Sequence, residues 1–515
     1  MQYKAWLSGQ SAARRIAAHM RQPEIMVFVP ALSLVAFWLG GSQALVITAI
    51  ATPMFLMLAG AIDLTNTGQE PSLGQRAQIV AVLERAMREA PLTGRSTACL
   101  VLQFDEMDKL VNRHGRAAQA AVLAQTAERW VAMVREGDVV VQIEGGGFAV
   151  ALAPVQRLDL EAVIQMAARL QGALAIPFSV DAARIYATVS VGFCLSARAP
   201  KQSGLALLEA AQIAADEAAH HGPGAIRVFS AEMARISADR DAQREELELA
   251  LDEGQIRTYF QPQISTDTGT ITGFEALARW HHPERGLIPP SEFLPKIEAA
   301  GLSERLGEVM LFNALSALTV WDKAGFNVPR VSVNFSCAEL RNPKLVDKLK
   351  WELDRFDMQS TRLCVEILET VVAYTADDVI VANLAALASL GCQIDLDDFG
   401  TGHASITSIR RFPLRRLKID RSFVTRVDAD REQQKMVSAI LSMAEQLGLE
   451  TLAEGVETPA EHSMLAQLGC NEVQGFGIGR PMPLAESSEW ITRHISRKTT
   501  FPRIGGRIRQ GPAPL

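Results

Sequence analysis

The sequence predicts an α/β protein whose larger, C-terminal domain is a (β/α)8 barrel. Strand-like apolar runs alternate with helical stretches across about 240 residues there, which is the length and order of such a barrel. A shorter region of the same kind, with runs such as ACLVLQF and DVVVQI, precedes it and predicts a separate domain of strands and helices. Two charge-free apolar runs near the N-terminus predict a transmembrane helical hairpin.

The chain has 515 residues, enough for two or three domains, and its composition argues against some functions. The formal net charge is -7, whereas a protein that binds duplex nucleic acid usually needs a basic face for its phosphate contacts. The six cysteines are scattered singly, with no CxxC pair. We interpret them as reduced core residues rather than metal ligands or disulfides.

The two N-terminal apolar runs cover residues 25–39 and 44–62. At ~1.5 Å per residue the first run spans only about 22 Å of the roughly 30 Å hydrocarbon core, so its span is marginal or re-entrant, whereas the second is long enough alone. Basic residues precede the first run and follow the second, which predicts that both ends lie in the cytoplasm. A cleaved signal peptide and a buried hairpin are the alternatives, and a second apolar run directly after the first disfavours cleavage.

Composition changes along the chain predict the domain boundaries. We expect a cytoplasmic N-terminus over 1–24, two transmembrane helices over 25–62 and a stalk helix over 63–94. The first globular domain follows over 95–230, a charged connecting helix over 231–254 and the barrel over 255–495. Residues 496–515 are rich in Gly, Pro and Arg and are predicted to be disordered.

Seven strand-like runs of the predicted barrel end in an acid, an amide or a lysine. Because strand C-termini converge on one mouth of a barrel, these side chains should meet in one site. They are Glu275, Asn334, Glu366, Asp397, Asp398, Lys418, Glu454 and Gln474. Buried carboxylates without compensation are costly, so the cluster implies bound cations. Ligands that are all oxygen favour Mg²⁺ or Mn²⁺ over zinc.

Adjacent Asp397 and Asp398 would let one carboxylate bridge two cations while its neighbour holds the second. Two hard cations about 4 Å apart are the usual device for hydrolysing a phosphodiester. Each motif alone also has a structural interpretation: the aspartate pair as a solvated turn, and Asn334 as a helix cap with Ser336. Their joint order along the barrel favours the two-metal hydrolase.

The run Glu275-Ala276-Leu277, followed by Arg279 and Trp280, resembles the signature of the EAL family of cyclic di-GMP phosphodiesterases. The resemblance covers about residues 246–495 and includes YFQP, VNFS, DDFGTG, LKID and AEGVE. It implies a modified (β/α)8, TIM-like barrel, two Mg²⁺ or Mn²⁺ ions per active site, cyclic di-GMP as substrate and linear pGpG as product. It also implies a homodimer and, with the hairpin, a signalling protein of the bacterial inner membrane whose catalytic domains face the cytoplasm.

The resemblance assigns roles to individual residues. It implies Glu275, Asn334, Glu366 and Asp397 as ligands of the first metal, and Asp397, Asp398 and Glu454 as ligands of the second. It implies Lys418, Glu454, Glu369 and Glu457 as catalytic-site residues, with Lys418 beside the attacking water and Glu369 steadying the loop after the double aspartate. It implies Gln261, Arg279 and Gln474 as substrate-binding residues. The loop after the double aspartate departs from the family pattern at residues 403–406, a change that bears on loop ordering and dimerisation.

Residues from about 95 to 229 resemble the GGDEF family of diguanylate cyclases, which implies an α+β domain. The signature reads EGGGF at 144–148, so glycines stand where the family needs an acid pair. Gln103, Val111 and Ala120 replace further metal- and guanine-binding positions. We therefore expect a degenerate, regulatory or dimerising domain without cyclase activity, at which GTP or cyclic di-GMP remains a candidate ligand.

Two features of this first domain keep alternatives open. The run Gly145 to Gly147 either cradles a phosphate or, as we favour, marks a turn. Arg135 and Asp138 form either a product-binding inhibitory site or, as we favour, a surface ion pair.

The leading hypothesis is a membrane-tethered, Mg²⁺- or Mn²⁺-dependent hydrolase of cyclic di-GMP. The alternative is a receptor that binds cyclic di-GMP without cleaving it and signals to a partner protein, and a third hypothesis is an interaction scaffold. The complete set of metal-ligating residues favours hydrolysis, since binding-only relatives usually lack one or more of them.

Overall fold

The computed structural model describes residues 38, 73–180, 183–374, 378–400, 402 and 406–499. Apart from Trp38, the predicted transmembrane hairpin lies outside these residues, as do the first part of the predicted stalk and most of the predicted disordered tail. Within the described part, every helix is too short or too polar to cross a membrane. The chain divides into two compact units, residues 1–237 and 238–515, and each contains its own hydrophobic core.

The first unit is an α+β domain built around a five-stranded sheet with the order β2-β3-β1-β6-β7. Its neighbouring strands are antiparallel except β6 and β7, which are parallel. Its elements are α1 (Leu73–Thr93), β1 (Ala98–Phe104), α2 (Met107–Val131), β2 (Val139–Gln142), β3 (Phe148–Ala151), α3 (Leu160–Gly172), β4 (Phe178–Val180), β5 (Ala183–Ile185), β6 (Val189–Leu195), α4 (Gly204–His220) and β7 (Ile226–Val228).

Small residues allow α4 to pack closely on this sheet. A Cβ at Gly192 of β6 would lie 1.8 Å from the amide nitrogen of Ala215, so only glycine fits beneath this alanine-rich helix. Helix α1, which falls within the predicted stalk, also packs here: its Ile79, Leu83 and Met87 are buried in the core of the first unit. The described part of the stalk is therefore a component of the domain and not a free connector.

The second unit contains the predicted barrel. Its elements are α5 (Ala231–Asp252, which includes the boundary between the units), β8 (Ile256–Ser265), β9 (Ile271–His282), β10 (Gly286–Ile288), α6 (Pro290–Ala299), α7 (Ser303–Lys323), β11 (Val331–Asn334), α8 (Cys337–Leu340), α9 (Leu345–Arg355), β12 (Leu363–Leu368), α10 (Glu369–Tyr374), α11 (Asp378–Leu390), β13 (Gln393–Phe399), α12 (Ile406–Ile409), β14 (Arg416–Ile419), α13 (Arg421–Val424), α14 (Arg431–Leu447), β15 (Glu450–Ala453), α15 (Pro459–Leu468), β16 (Glu472–Gln474), β17 (Met482–Pro483) and α16 (Leu484–Thr499).

Eight of these strands close into a ring, which confirms the predicted barrel. Strands β9 and β11 to β16 run parallel to their neighbours, and β8 closes the ring by pairing antiparallel with both β9 and β16. The reversed β8 is the modification of the regular fold. It follows from the short segment 266–270 between β8 and β9, because a few residues can join antiparallel strands whereas parallel strands need a crossover of a dozen or more.

Candidate active site

The predicted acidic residues meet at one end of the barrel. Oxygens of Glu275, Glu366 and Asp397 lie within 4.8 Å of one another, and so do oxygens of Asp397, Asp398 and Glu454. Asp397 thus belongs to both groups. Parallel register explains the convergence, because Asn334 pairs with Glu366 across β11 and β12, and Leu368 pairs with Asp397 across β12 and β13.

A local irregularity allows two consecutive aspartates to serve the same site. Successive side chains of a regular strand point to opposite faces, so Asp397 and Asp398 could not otherwise both reach the cluster. The register of β13 against β14 shifts between Leu396 and Phe399, and Asp398 has a positive φ of 52°. The amide of Asp398 donates to Asp397 Oδ1 at 3.0 Å, which stabilises this turn of the backbone.

Lys418 lies at the centre of the cluster and is fully buried. Its Nζ lies 2.9 Å from Glu366 Oε2, 2.9 Å from Asp397 Oδ1 and 2.8 Å from Glu454 Oε1. Glu275 Oε1 is farther away, at 3.5 Å. One ammonium group therefore contacts a carboxylate of each predicted metal site.

Two amide side chains complete the polar contacts. Asn334 Nδ2 donates to Glu275 Oε1 at 3.1 Å and to Glu366 Oε2 at 3.3 Å. Gln474 Nε2 donates to Gln261 Oε1 at 3.1 Å and also to Glu275. These bonds place predicted metal ligands and predicted substrate-binding residues in one connected network.

Burial raises the pKa of most carboxyl groups in the cluster. Desolvation, followed by repulsion from Glu275, holds the pKa of Glu366 well above its usual range. Desolvation is also the main cause that raises the pKa of Asp397, that of Asp398 to about 6 and that of Glu454 to about 8. Glu275 differs: burial pushes its pKa upward, but Lys418 and hydrogen-bond donors including Gln474 outweigh burial and leave it lowered.

The cluster is chemically suited to bind hard divalent cations. The five carboxylates Glu275, Glu366, Asp397, Asp398 and Glu454 face one ammonium group, so full ionisation would leave four negative charges, which two divalent cations would neutralise. Glu366 Oε1 is fully buried and has no hydrogen-bond partner among the described residues, and such an atom is costly unless a ligand or ion satisfies it. Acidic residues therefore cluster where a divalent-metal site was predicted.

Most of the cluster lines a cavity of about 740 Å³ within the second unit, whereas Glu366 and Lys418 are 0% exposed and are not among the lining residues. Predicted site residues that line this cavity are Gln261, Glu275, Asn334, Asp397, Asp398, Glu454, Glu457 and Gln474. Arg279 is not among the lining residues; it is half-buried near the ring of Tyr259 and donates to the carbonyl of Ala278 at 2.7 Å. Glu369 lies beside the cluster, where it accepts hydrogen bonds from the amides of Gly400 and Gly402.

Sequence reasoning missed Phe476 at the cavity and Arg480, which packs on its ring. The ring of Phe476 lines the cavity and is 50% exposed, and the guanidinium carbon of Arg480 lies 4.3 Å from its centroid. Their signal was the sequence after Gln474, where an aromatic residue directly follows the glycine of the EVQGFG run.

Comparison with known proteins agrees with this geometry. The family model described as "EAL domain" matches residues 244–481, and that described as "Diguanylate cyclase, GGDEF domain" matches residues 72–224. The chain has a GGDEF plus EAL domain architecture. The GGDEF match begins at the start of α1, in agreement with the packing of that helix.

Curated relatives share this architecture. The chain is 31% identical to the "Bifunctional diguanylate cyclase/cyclic di-GMP phosphodiesterase MucR" of Pseudomonas aeruginosa, over 78% of this chain and 58% of the relative. It is 30% identical to the "Cyclic di-GMP phosphodiesterase PdeR" of Escherichia coli, over 84% of this chain and 64% of the relative. The chain thus spans between half and two thirds of the length of these relatives.

Solved structures also resemble the EAL domain. A PaMucR phosphodiesterase in complex with c-di-GMP is 36% identical, covers 48% of this chain and 99% of that chain, and has a TM-score of 0.45. The EAL enzyme Bd1971, with cAMP and cyclic di-GMP bound, is 28% identical, covers 50% of this chain and 69% of that chain, and has a TM-score of 0.47.

The GGDEF domain uses its polar residues for internal contacts. Gly145 and Gly146 have positive φ values of 77° and 78° within a short turn before β3, which fits the favoured turn interpretation. Asp105 accepts hydrogen bonds from Ser190 and from the amide of Gly224, and Gln103 donates to Asp216 Oδ1 at 2.7 Å.

The predicted ion pair of Arg135 and Asp138 is replaced by a different contact. The Asp138 carboxylate accepts hydrogen bonds from the backbone amides of Arg135 at 3.0 Å and Ala153 at 2.8 Å. Among the described residues, no ion pair joins the side chains of Arg135 and Asp138. The sequence motif therefore caps a turn, because a short aspartate side chain reaches nearby backbone amides more readily than a distant guanidinium.

Proposed function

We propose that the chain is a hydrolase that cleaves cyclic di-GMP to linear pGpG with two Mg²⁺ or Mn²⁺ ions. One observation carries this proposal: two clusters of three carboxylates share Asp397, and Asp397 lines the cavity. Curated relatives of the same domain architecture named as cyclic di-GMP phosphodiesterases support the choice of substrate.

The geometry of the cluster supports the ligand roles that the family resemblance implies. Glu275, Asn334, Glu366 and Asp397 would hold the first cation, and Asp397, Asp398 and Glu454 the second. Two such cations supply positive charge to the phosphodiester and lower the pKa of the attacking water. Hard oxygen donors favour Mg²⁺ or Mn²⁺ for this task.

The remaining residues would orient the attacking water and the substrate. Lys418, already within 2.9 Å of Asp397, holds its ammonium group beside the position where water attacks. Gln261 and Gln474 are hydrogen-bonded to each other, so they present a fixed polar wall to the dinucleotide. Arg279 loses hydration through burial, which lowers its pKa, and a partly desolvated guanidinium gains most from pairing with a phosphate.

We infer that the GGDEF domain makes no cyclic di-GMP. Its signature turn offers glycines in place of an acid pair, and Asp105, two residues from the expected metal position, is hydrogen-bonded within the domain. The domain would instead act as a regulatory or dimerising module, with GTP or cyclic di-GMP as candidate ligand. The apolar runs at 25–39 and 44–62 would tether the homodimer to the bacterial inner membrane, with both domains in the cytoplasm.

The test is hydrolysis of cyclic di-GMP by the full chain in detergent with Mn²⁺ or Mg²⁺. We expect pGpG as the product, and no product from the Asp397→Asn variant. Substrate that stays intact although it binds would establish the receptor alternative, and absence of both binding and cleavage would leave the scaffold. Incubation with GTP alone should yield no cyclic di-GMP, and its formation would overturn the inference about the GGDEF domain.

A further inference from the structure

A second layer of charged side chains lies inside the barrel, below the acidic cluster. Inward-facing residues of a strand recur with a period of two, and barrel interiors are filled in layers. Asp395, Arg416 and Glu472 each stand two residues before Asp397, Lys418 and Gln474 of the cluster. All three are buried, and Arg416 and Asp395 are 0% exposed.

Arg416 is the centre of this lower layer. Its Nε donates to Asp395 Oδ2 at 2.6 Å, and Nη1 donates to Gln263 Oε1 at 3.2 Å and to Glu472. Arg330 pairs with Glu472 from the other side and donates to Gln393 Oε1 at 2.6 Å.

The lower layer balances its own charge. The two guanidinium groups of Arg330 and Arg416 face the two carboxylates of Asp395 and Glu472. A buried ion of either sign is costly without a partner, and these four charges pair with one another, although Arg330 Nε and Asp395 Oδ1 have no hydrogen-bond partner among the described residues. The lower layer therefore has no net positive charge that could compensate the carboxylates of the acidic cluster.

One atom of the lower layer nevertheless faces the cluster. Arg416 Nη2 lies 2.5 Å from Asp395 Oδ2 and donates to Ser332 Oγ at 3.4 Å. The same atom lies 4.0 Å from Glu366 Oε1, the buried oxygen without a hydrogen-bond partner among the described residues. The other oxygen of Glu366 accepts hydrogen bonds from Lys418 at 2.9 Å and Asn334 at 3.3 Å. The two oxygens of this carboxylate thus lie nearest to different cationic side chains, Oε1 to Arg416 and Oε2 to Lys418.

We propose that Arg416 is a positioning residue that fixes the orientation of Glu366 for the first divalent cation. The guanidinium is itself held rigidly by Asp395, Gln263 and Glu472, so it presents a fixed positive charge from below. Groups that orient a metal ligand without touching the metal commonly change affinity or activity about 10–100-fold when they are removed. This inference rests on the proposed two-metal function.

The test variant is the double substitution Asp395→Asn with Arg416→Gln. It removes one buried charge of each sign and leaves Arg330 paired with Glu472, so we expect the EAL domain to fold. Arg415→Gln is the matched control, because Arg415 is the preceding residue, is exposed and pairs with Glu450 instead. Thermal melting checks folding, and titration with Mn²⁺ followed by calorimetry measures affinity in the absence of substrate.

We expect the double variant to bind Mn²⁺ about 10–100-fold more weakly than the wild type, whereas Arg415→Gln binds normally. KM for cyclic di-GMP should stay close to the wild-type value, and turnover should rise again at high Mn²⁺. A folded double variant with unchanged Mn²⁺ affinity, or an equal loss in the control, would overturn the inference. Failure of the wild type itself to bind Mn²⁺ or cleave substrate would instead count against the proposed function.

A second variant covers the case in which the double variant does not fold. Arg416→Lys keeps the buried charge but loses the planar fork that fixes its direction. We expect a folded protein whose Mn²⁺ affinity is lower than that of the wild type. Wild-type affinity in a folded Arg416→Lys protein, with the fork absent, would then overturn the positioning role.

Discussion

Glu369 accepts a hydrogen bond from the backbone amide of Gly402 at 3.0 Å. The same oxygen accepts the amide of Gly400 at 2.8 Å, and the Glu369 residue is only 3% exposed. A Cβ at Gly402 would lie 3.0 Å from the carboxyl carbon of Glu369, so the contact is close as well as polar. The first residue of α10 therefore anchors the backbone that follows Asp398.

Replacement of Glu369 by alanine should lower turnover about 10–100-fold, as for other groups that orient metal ligands. The reason is that two amides lose their acceptor and the backbone after Asp398 loses its anchor. Glu369→Gln is the control, because its amide oxygen can still accept both bonds. Steady-state kinetics at saturating Mn²⁺ measures the effect, and wild-type turnover in Glu369→Ala would contradict a positioning role.

Glu275 and Asp397 should affect stability in opposite directions although both are needed for turnover. The pKa of Asp397 is raised by desolvation, so its ionised form is unfavourable in the folded, metal-free protein and Asp397→Asn should raise the melting temperature. The pKa of Glu275 is lowered because Lys418 and its hydrogen-bond donors outweigh burial, so Glu275→Gln should lower the melting temperature.

The measurement is thermal melting of the EAL domain in the full chain at pH 7 with a chelator, alongside turnover with Mn²⁺. Both variants should lose at least about a thousandfold in turnover, since each removes a ligand charge from the site. Asp428→Asn is the control, because Asp428 is exposed and is not among the residues that line the cavity. Shifts of the same sign for Asp397→Asn and Glu275→Gln would contradict the opposite electrostatic environments.

The barrel and its acidic cluster could be predicted because both depend on periodic patterns. Strand-like runs that end in Glu366, Asp397 or Lys418 specify a common rim once the strands are parallel. The shift in β13 that brings Asp398 to the site could not be predicted, because a backbone irregularity leaves no period in the sequence. The lower layer did leave a periodic signal in the sequence, because Arg416 precedes Lys418 by two residues. It was missed because a charged residue was not expected to be fully buried.

The stalk and the Arg135–Asp138 pair show the opposite limit. Helix α1 has an apolar side, but only the tertiary structure shows that this side packs against the sheet of its own domain. Likewise, the RxxD spacing does not reveal that Asp138 accepts backbone amides. In both cases the sequence predicted the local element but not its partner.

Divalent-metal affinity should rise with pH. Burial raises the pKa of Glu454 to about 8 and that of Asp398 to about 6, so both groups are partly protonated in the metal-free protein near neutral pH. Because a carboxyl group must lose its proton to bind a cation, each proton released strengthens affinity up to about tenfold per pH unit below the pKa.

Calorimetric titration with Mn²⁺ from pH 5.5 to 8.5, in buffers of different ionisation enthalpy, measures both affinity and proton release. We expect proton release that decreases toward pH 8.5, and a Glu454→Gln variant in which much of this pH dependence is lost. Constant affinity over the whole range, with no proton release, would contradict the raised pKa values.

Glu339 should make the stability of the EAL domain depend on pH. Its carboxylate accepts hydrogen bonds from the amide of Ser336 at 2.8 Å and from its hydroxyl at 2.6 Å. These bonds belong to the cap of α8, which begins just after Asn334. Desolvation, opposed by these bonds, raises the pKa of Glu339 from 4.5 to about 7, with Glu304 and Glu308 adding repulsion. A carboxyl group whose folded-state pKa is raised contributes stability below pH 4.5, and that contribution is lost as the pH rises through 7.

The Glu339→Gln variant tests this relationship, because glutamine keeps an acceptor for Ser336 and carries no charge. Relative to the wild type, the variant should gain stability between pH 5 and 8 by up to about 3 kcal/mol, the amount that the change in pKa implies. Melting of the EAL domain at several pH values measures the difference, and Glu445→Gln, an exposed residue of α14, is the control. A difference between Glu339→Gln and wild type that stays constant from pH 5 to 8 would contradict the raised pKa of Glu339, because a pKa of about 7 requires the difference to change over this range.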